Sequence, residues 1–508
     1  MTYTLRDKRY AIGTTQFAIV IFLVALIVYV FTLAPGLLWG GGDFATFQTK
    51  AYTGQIESNI FGHPLWVVLA RPFIALPIRD VAYRANLASA VFGAAALAFV
   101  FLAARHIARS TGAALLATAA LAVSHTFWTY AVMPKPYSLN ALLLAACIYF
   151  LLRWGEERRG RYLYLFAAIY GLSPSNHLVM LTAVAGFITY LVLVARHHRG
   201  GGDLRRQFAI AAAVYALALA PYALLALSAD ESAATTASIG GFLRGFLTAL
   251  TSPDKLLLGL GAGIALLLYQ FPASVPIGLI GLRRSWLLDR PAAALLALTA
   301  AGNVAFLLGA TDPRTGGEYV WNLHYYLLTY VVFALWLAAG LAHLWPHLAR
   351  TRLRLVASAS LIIGLPVVAY ALAPVISRPF VANLPGFREV GGRDNLTYVL
   401  SPWKHNEAGA RALGESILNT LPPGSAFLAD YGLWSIINYL QVVEGRRLDV
   451  ALIQMPAPGA GKQLPLILSQ RNARNLFIAD INRYYDVADI ETRFDIVAIG
   501  PIYHLDPK

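Results

Sequence analysis

The chain has 508 residues, of which 58% are hydrophobic and 13% are charged. Soluble domains carry roughly 25% charged residues, so this composition excludes an ordinary soluble protein and predicts a multi-pass membrane protein. The net charge of +14 lies in short basic stretches between apolar runs, which favours topology signals and contact with anionic lipids over nucleic-acid binding. The single cysteine, Cys147, excludes a disulfide framework or cysteine-based metal site within one chain.

Hydrophobic runs predict eleven membrane-spanning helices, since a span requires about 20 apolar residues. The predicted spans are residues 11–34, 84–105, 110–132, 137–154, 162–175, 177–195, 206–228, 255–282, 291–310, 324–345 and 354–375. We interpret the first as a retained helix, because it is too long for a cleaved signal and lacks a small-residue cleavage site. The shorter apolar run 65–78 predicts a helix at the membrane interface.

Basic residues occupy alternate connections between these spans, and this alternation predicts the orientation of the chain. The basic connections carry Arg6, Lys8 and Arg9; Arg105 and Arg109; Arg153, Arg158, Arg159 and Arg161; Arg196, Arg199, Arg205 and Arg206; Arg283, Arg284 and Arg290; and Arg350, Arg352 and Arg354. The N-terminus is therefore predicted to be cytoplasmic and the first outer loop, 35–83, extracytoplasmic. The composition, rich in alanine and arginine, is typical of a bacterial chain from a high-GC genome, and the predicted location is the bacterial cytoplasmic (inner) membrane.

The composition changes after Pro374, which divides the chain into a predicted transmembrane domain, 1–375, and a second domain, 376–508. The second domain alternates short apolar runs (SAFLAD, DVALIQ, NLFIAD, FDIVAIG) with helical patterns. Such alternation predicts a small α/β domain with a mostly parallel sheet. An odd number of spans places this domain on the extracytoplasmic side.

The first outer loop carries three side chains suited to transfer chemistry at a membrane surface. Asp43 follows three glycines, and its carboxylate could deprotonate an acceptor hydroxyl; it also suits the N-cap of a helix that begins at FATFQTKAY. His63, before Pro64, is either a hydrogen-bonded loop histidine or a site residue. Arg71 lies in the interfacial run and could neutralise a phosphate.

Later connections supply further candidates at the predicted outer ends of the spans. Lys135 lies between two prolines, where a lysine suits a donor phosphate or simply reaches the interface, and Tyr137 follows it. Asn176 and His177 are polar residues at membrane depth, which usually face a cavity. A second cluster in one loop contains Asp312, Arg314, Glu318, Tyr319 and His324. Acids beside a histidine could hold a divalent cation, but no ligand spacing enforces one and we predict no metal site.

Several stretches follow one another in a familiar order: PGLLWGGGDFATF, GHPLW, YRANLASAVFGA, HTFWTYAVMPKPYSLNALL, GLSPSNHL, DPRTGGEYVWNLHYYLLTYVVFALWLAAGL and LPPGSAFLADYGLWSIINYLQVVEGRRLDVALI. Together they resemble the GT-C glycosyltransferases, polytopic enzymes that take a sugar from a polyprenyl phosphate or pyrophosphate donor. More narrowly, the chain resembles the bacterial family related to the eukaryotic transmembrane protein O-mannosyltransferase. The resemblance implies that Asp43 is the catalytic base and His63 a site residue, with Tyr137 and His177 as neighbours in the cleft.

Three positions differ from the family pattern. Thr46 stands where the family usually has an acidic residue, Leu65-Trp66 follow His63-Pro64 in place of a longer proline-containing motif, and Lys135 replaces another acidic residue. Taken as a whole, the resemblance implies an inverting transferase in which Arg71, Lys135 or Arg314 neutralises the departing lipid phosphate. The implied partners are a lipid-linked sugar donor, a protein, lipid or glycan acceptor, and membrane lipids.

Two other functional classes remain open from the sequence. A transporter or lipid flippase is one, although such proteins usually show paired repeats and ionisable residues at mid-membrane, whereas these ionisable residues gather at loop mouths. A binding protein with a degenerate site is the other, because of Thr46 and Lys135.

Overall fold

The computed structural model is mostly helical and ends in a small sheet domain. It describes residues 5–40, 44–56, 62–196, 201–228, 244, 247–248, 251–312, 314, 323–381, 384, 389–455, 475–481, 485 and 490–508. Asp43, Glu318, Tyr319 and the predicted helical pattern at 463–473 lie outside these described residues.

The helices of the N-terminal part come in the following order. They are α1 (Leu5–Thr32), α2 (Phe44–Thr53), α3 (Pro64–Ile74), α4 (Val81–Ala108), α5 (Thr111–Ala122), α6 (His125–Ala131), α7 (Tyr137–Glu157), α8 (Gly160–Leu172), α9 (Val184–Arg196), α10 (Gly201–Ser228), α11 (Pro253–Gln270), α12 (Val275–Leu288), α13 (Arg290–Ala310), α14 (Leu327–Leu348), α15 (Arg352–Ala359) and α16 (Leu365–Ser377). Short 3₁₀ turns at Ser173–Ser175, Leu178–Ala183 and Leu323–Tyr326 precede helices on one side of the bundle, and a π-helical turn, Ser360–Gly364, joins α15 to α16.

The predicted number of spans is approximate. Within the described residues, eight helical segments are long and apolar enough to cross a membrane, and two more pairs qualify only as bent spans. The break between α5 and α6 bends the chain by 69°, and the break between α11 and α12 by 107°. Pro272 lies two residues after Gln270, the last residue of α11, and proline disfavours a helical conformation in the residue before it, Phe271. The remaining predicted span, 162–175, corresponds to α8, which has 13 residues.

Three helices form the centre of the bundle. In the most apolar stretches of α4, α7 and α14 most residues are buried inside the protein, whereas in those of α1, α10 and the α15–α16 segment most residues are not. Helices α12 and α14 approach so closely that a Cβ atom on Gly281 would lie 1.7 Å from the backbone oxygen of Trp336. Small residues allow this close backbone contact, which is a common basis of helix association in membranes. The chain is a multi-pass membrane protein.

The C-terminal part contains the α/β domain that the sequence predicts. Its elements are α17 (Asn395–Leu400), α18 (Gly409–Thr420), β1 (Ala426–Ala429), α19 (Tyr431–Val442), β2 (Ala451–Gln454), β3 (Leu476–Ile478), β4 (Phe494–Ile499) and β5 (Ile502–Pro507). The strand order is β2-β1-β3-β5-β4. The pairs of β1 with β2 and β3 are parallel, as predicted, but β5 runs antiparallel to β3 and β4. The two residues Gly500-Pro501 close a hairpin between β4 and β5, and the predicted boundary at 375/376 stays a prediction.

The α/β domain packs on the first outer loop. The backbone N–H of Lys404 donates to the carbonyl of Thr32 at the end of α1 (2.9 Å). The Arg411 guanidinium lies 3.1 Å from the carboxylate of Asp80, the N-cap of α4. A Cβ atom on Gly40 would lie 2.0 Å from the backbone oxygen of Gly432, so only glycine fits at this crossing. The domain therefore covers the part of the loop that leads to Asp43 in the sequence.

Candidate active site

His63 joins the first outer loop to a later helix end. Its backbone is left-handed, with φ of 52°, and Pro64 follows as the first residue of α3. Such a conformation costs free energy in a non-glycine residue and persists only where surrounding contacts hold it. The His63 Nδ1 lies 2.6 Å from the carbonyl oxygen of Asn176, so this ring nitrogen donates the hydrogen bond. The contact brings two predicted site residues together from positions 113 residues apart.

The turn that receives His63 is held by buried amides. The Asn176 side chain is buried, and its Nδ2 donates to the carbonyl of Pro136 (2.9 Å) and to Oδ1 of Asn140 (2.5 Å). These bonds tie the turn to the start of α7, which Pro136 caps. The hydrogen bonds of the Asn176 side chain thus hold its backbone carbonyl where it accepts from His63. In this way Asn176 connects two loops.

His177 lies beside this turn, in surroundings that favour its neutral form. Burial lowers the pKa of its imidazole well below the ordinary value, and the nearby charges of His63 and Lys135 lower it further. Its Nδ1 accepts a hydrogen bond from the backbone N–H of Val179 (3.1 Å), so the proton of the neutral ring sits on Nε2. The rings of His63 and His177 are 5.0 Å apart. A neutral imidazole of this tautomer is a hydrogen-bond donor toward a bound ligand.

Lys135 is buried among aromatic rings at the same place. Its side chain is 6% exposed, and the ammonium lies 4.9 Å from the ring centre of Phe47, 5.5 Å from that of Phe44 and 5.9 Å from that of Tyr137. Cation–π attraction of this kind stabilises a desolvated ammonium by about 2 kcal/mol. Phe44 is the residue directly after Asp43 in the chain and begins α2. The lysine is therefore next to the described residues that follow the predicted base.

A stacked pair of rings extends the cluster toward α14. The Tyr137 and His324 rings stack with their centres 3.9 Å apart, and the Tyr137 and His177 rings are 5.6 Å apart. The Tyr130 hydroxyl lies 3.2 Å from Nδ1 of His324, and Tyr325 packs against both histidines. Six predicted residues thus converge on what we call the outer cluster: His63, Lys135, Tyr137, Asn176, His177 and His324.

Arg71 lies on a different face of the first loop. It projects from α3, and its Nη1 donates to the carbonyl of Tyr52 (3.2 Å). Around it is an open groove of about 770 Å³, whose lining combines the guanidinium with the apolar side chains of Val68, Pro72 and Ile74. The structure therefore places Arg71 at an apolar groove between α2 and α3.

Asp312 and Arg314 pair with each other just beyond α13. The Arg314 guanidinium donates to both carboxylate oxygens of Asp312, through Nε to Oδ1 (2.9 Å) and through Nη2 to Oδ2 (2.5 Å). These hydrogen bonds lower the pKa of Asp312 to about 2. Both side chains lie toward the start of α11, where Lys255 and Asp254 contribute charge. Within the described part of the chain, no three histidine, cysteine or carboxylate side chains gather as a metal site.

The α/β domain contributes contacts that sequence reasoning missed. The Thr46 and Tyr431 hydroxyls are 2.9 Å apart, and the Trp39 indole N–H donates to the Glu407 carboxylate (2.9 Å). Lys404 lies close by, is 3% exposed, and donates through its ammonium to the backbone oxygen of Ser401. The sequence signal for these contacts was the segment SPWKHNE, in which a lysine and an acid follow Pro-Trp. Lys135 likewise follows a proline.

The arrangement of these elements is that of the GT-C glycosyltransferase fold. The crystal structure of ArnT from Cupriavidus metallidurans bound to undecaprenyl phosphate superposes with a TM-score of 0.60 at 14% sequence identity, over 97% of this chain and 98% of ArnT. The apo oligosaccharyltransferase of Archaeoglobus fulgidus gives a TM-score of 0.51 at 14% identity, over 93% of this chain and 70% of that enzyme. At these identities the similarity establishes the fold.

Sequence comparison shows a similarity to one named family. Residues 60–200 match the family described as the protein O-mannosyl-transferase TMEM260 N-terminal domain. The mouse protein O-mannosyl-transferase TMEM260 is 29% identical over 245 residues, which is 46% of this chain and 34% of the mouse protein. The matched region thus spans about a third of the length of that relative. The predicted resemblance to the O-mannosyltransferase family is confirmed, and the matched residues include five members of the outer cluster.

Proposed function

We propose that the chain is a membrane glycosyltransferase that moves a sugar from a polyprenyl-phosphate donor to the hydroxyl of an extracytoplasmic acceptor. The observation that carries this proposal is the outer cluster, where a buried ammonium, two close imidazoles and stacked aromatic rings meet at one end of a GT-C bundle. The mannosyl donor is the first candidate, because the similar family is named for O-mannosyl transfer.

Lys135 is the proposed ligand of the donor phosphate. An ammonium 6% exposed and surrounded by ring faces lies in a medium of low dielectric, where attraction to an anion is far stronger than in water. The phosphate acquires charge as the bond to the sugar breaks, so this attraction stabilises the transition state more than the ground state. His177, neutral and protonated on Nε2, would donate to the sugar or the phosphate.

Asp43 is the proposed general base. In the reaction, the acceptor oxygen attacks the anomeric carbon, the bond from that carbon to the phosphate oxygen breaks, and the acceptor proton passes to the Asp43 carboxylate. The polyprenyl phosphate leaves with the electron pair of the broken bond, and attack from the opposite side inverts the anomeric centre. Support comes from the sequence, where Asp43 directly precedes Phe44, whose ring contacts Lys135.

The groove at Arg71 is the proposed seat of the lipid chain near its phosphate. Its apolar lining suits a prenyl chain, and the guanidinium would approach the phosphate from the membrane side. Arg314 is the weakest of the three proposed phosphate ligands, since Asp312 already occupies its guanidinium. The α/β domain would bind the acceptor, because Tyr431 reaches Thr46 on α2, the helix that follows Asp43 in the chain.

The test is sugar transfer by purified protein in lipid nanodiscs supplied with a panel of polyprenyl-phosphate sugars. We expect turnover with one donor class and a loss of about 10²–10⁴-fold in Asp43→Asn, the range for removal of a general base. Donor binding should persist in that variant. Asp449→Asn is the matched control, since Asp449 is an exposed carboxylate of the α/β domain paired with Arg447.

Other outcomes separate the alternatives. Unchanged turnover in Asp43→Asn would contradict the base assignment and leave the enzyme class intact. Donor binding without sugar release, with acceptors of all three kinds supplied, would favour the degenerate binding protein. Movement of the intact lipid between leaflets without sugar transfer would favour the flippase.

A further inference from the structure

A second polar cavity lies at the opposite end of the helix bundle. It has a volume of about 420 Å³ and is formed by the end of α4, the junction of α12 and α13, and the last turns of α14. Helix α4 begins at Asp80, beside the first outer loop, and its 28 residues extend about 42 Å at the rise of an α-helix. The cavity therefore faces the other side of the membrane from the outer cluster.

Two guanidinium groups dominate the charge of this cavity. Arg109 and Arg284 line it, together with His106, His343 and the carboxylate of Asp289. Arg284 donates to the ring of His343 (2.7 Å), and this contact engages one nitrogen of a group that carries five N–H donors. Asp289 already caps α13 by accepting from the backbone N–H of Ala292 (3.1 Å).

The remaining titratable neighbour is also occupied. His106 lies 3.4 Å from the carboxylate of Glu156 on α7. The imidazole and the carboxylate therefore interact with each other. The cavity consequently offers a positive balance to a ligand, supplied by arginines at the ends of two helices.

The walls below these charges are apolar. Leu288, Leu296 and Ala339 line the cavity, and Leu288 is 75% exposed. Next to it, Trp286 and Leu287 are exposed on the same short stretch. A tryptophan beside arginines and leucines is typical of the boundary between lipid headgroups and acyl chains. A ligand here would meet guanidinium groups at one end and hydrocarbon at the other.

We infer that this cavity binds the phosphate headgroup of an anionic phospholipid of the facing leaflet, with an acyl chain along Leu288 and Leu296. Basic pockets between membrane helices on the cytoplasmic side bind such headgroups, and bidentate guanidinium–phosphate contacts supply the specificity. The lipid would join four helices, α4, α12, α13 and α14, at the end remote from the proposed chemistry. This site is independent of the proposed transfer reaction.

Native mass spectrometry of the purified full-length chain tests this site. The protein is titrated with phosphatidylglycerol, phosphatidylcholine or inorganic phosphate, and bound adducts are counted. We expect one phosphatidylglycerol to bind at least tenfold more tightly than phosphatidylcholine, and Arg109→Gln/Arg284→Gln to lose about this tenfold preference, as expected for two lost charge-assisted contacts. The matched control is Arg283→Gln/Arg350→Gln, which removes exposed arginines that do not line the cavity.

Each result decides the inference. Equal preference for phosphatidylglycerol in the double variant and the wild type would overturn it. Binding of inorganic phosphate that displaces the lipid adduct would identify a free-phosphate site and overturn the assignment to a lipid. If the double variant does not fold, Arg284→Lys is measured instead, and it should retain charge but lose part of the preference because lysine cannot bind a phosphate in a bidentate manner.

Discussion

The two ends of the helix bundle use basic residues in opposite ways. At the outer end, Lys135 is buried among aromatic rings, next to two histidines that are also packed against rings. At the other end, Arg153, Arg159 and Arg161 surround the carboxylate of Glu157, and their side chains are 25%, 50% and 59% exposed. The difference shows that charge alone does not describe a site: burial decides how strongly a cation attracts a ligand and how far salt screens that attraction.

The physical basis is screening. At physiological salt, the attraction between exposed charges is largely screened once they are more than about 8 Å apart, whereas buried charges are screened far less. Lys135 should therefore act on a bound phosphate at any ordinary salt concentration. Arginines at the opposite end should act on lipid headgroups with a marked dependence on salt.

Replacement of Lys135 should have the largest effect on ligand binding. Lys135→Met removes a buried cation and should weaken binding of undecaprenyl phosphate by about 10–100-fold, which corresponds to a charge-assisted hydrogen bond. Arg352→Gln, at the opposite end, should leave binding unchanged. Both affinities can be measured by scintillation proximity with labelled lipid, and equal loss in the two variants would break the contrast between the two ends.

Trp39 tests the contact of the α/β domain with the first loop. Trp39→Phe removes the donor to the Glu407 carboxylate, whose pKa burial already raises, and should lower the free energy of unfolding by about 1–3 kcal/mol. Thermal unfolding of the detergent-solubilised protein measures the change. The control is Trp434→Phe, which alters a tryptophan of the α/β domain outside this hydrogen bond; a similar loss there would show that the effect is not specific.

Lys404 predicts a dependence of stability on pH. Burial lowers the pKa of its ammonium to about 7, below the ordinary value of 10.5 that applies in the unfolded chain. Between these values the unfolded chain holds the proton and the folded chain does not, so stability should rise with pH across this window. The slope is at most about 1.4 kcal/mol per pH unit, and the full cost of burying the charge is present below pH 7.

The Lys404→Met variant isolates this contribution. Its unfolding temperature should change less between pH 7 and pH 10 than that of the wild type, with both measured by differential scanning fluorimetry. Parallel curves for the two proteins would show that Lys404 does not titrate in this range.

The smallest effect is expected at Arg314. Its guanidinium is exposed and engaged by Asp312, and exposed ion pairs contribute little. Arg314→Gln should therefore change lipid affinity by less than about threefold, well below the effect of Lys135→Met. A larger loss would place Arg314 among the principal phosphate ligands and would change the ranking of the three cations.

Much of the architecture could be predicted because a long apolar run in the sequence indicates a membrane helix. Helix α4 and the strands β1 to β4 follow directly from such runs and alternations. The bends at Ser124 and Pro272 were missed, since hydropathy averages over a break that only backbone geometry reveals. The antiparallel β5 was missed because PIYHLD was not recognised as a strand after the Gly500-Pro501 turn.

The residues of the outer cluster could be singled out from the sequence, whereas their arrangement in space could not. His177 was identified because polar residues at membrane depth are rare and usually face a cavity. His63 and Lys135 were identified as a histidine and a lysine beside prolines at the ends of apolar runs. Their convergence depends on contacts such as His63 with Asn176, 113 residues apart, which no local pattern encodes. The hydrogen bonds of Tyr431 and Glu407 to the first loop could not be predicted from local sequence patterns either, because these two residues belong to a separate domain.

The most direct test of the account is an experimental structure of the protein with bound undecaprenyl phosphate. We predict that the phosphate lies within hydrogen-bond distance, about 3 Å, of the Lys135 Nζ, beside His177 and the start of α2. The prenyl chain should leave along the groove of Arg71. A phosphate bound at the arginine-rich end of the bundle, with none bound at the outer cluster, would contradict the central claim.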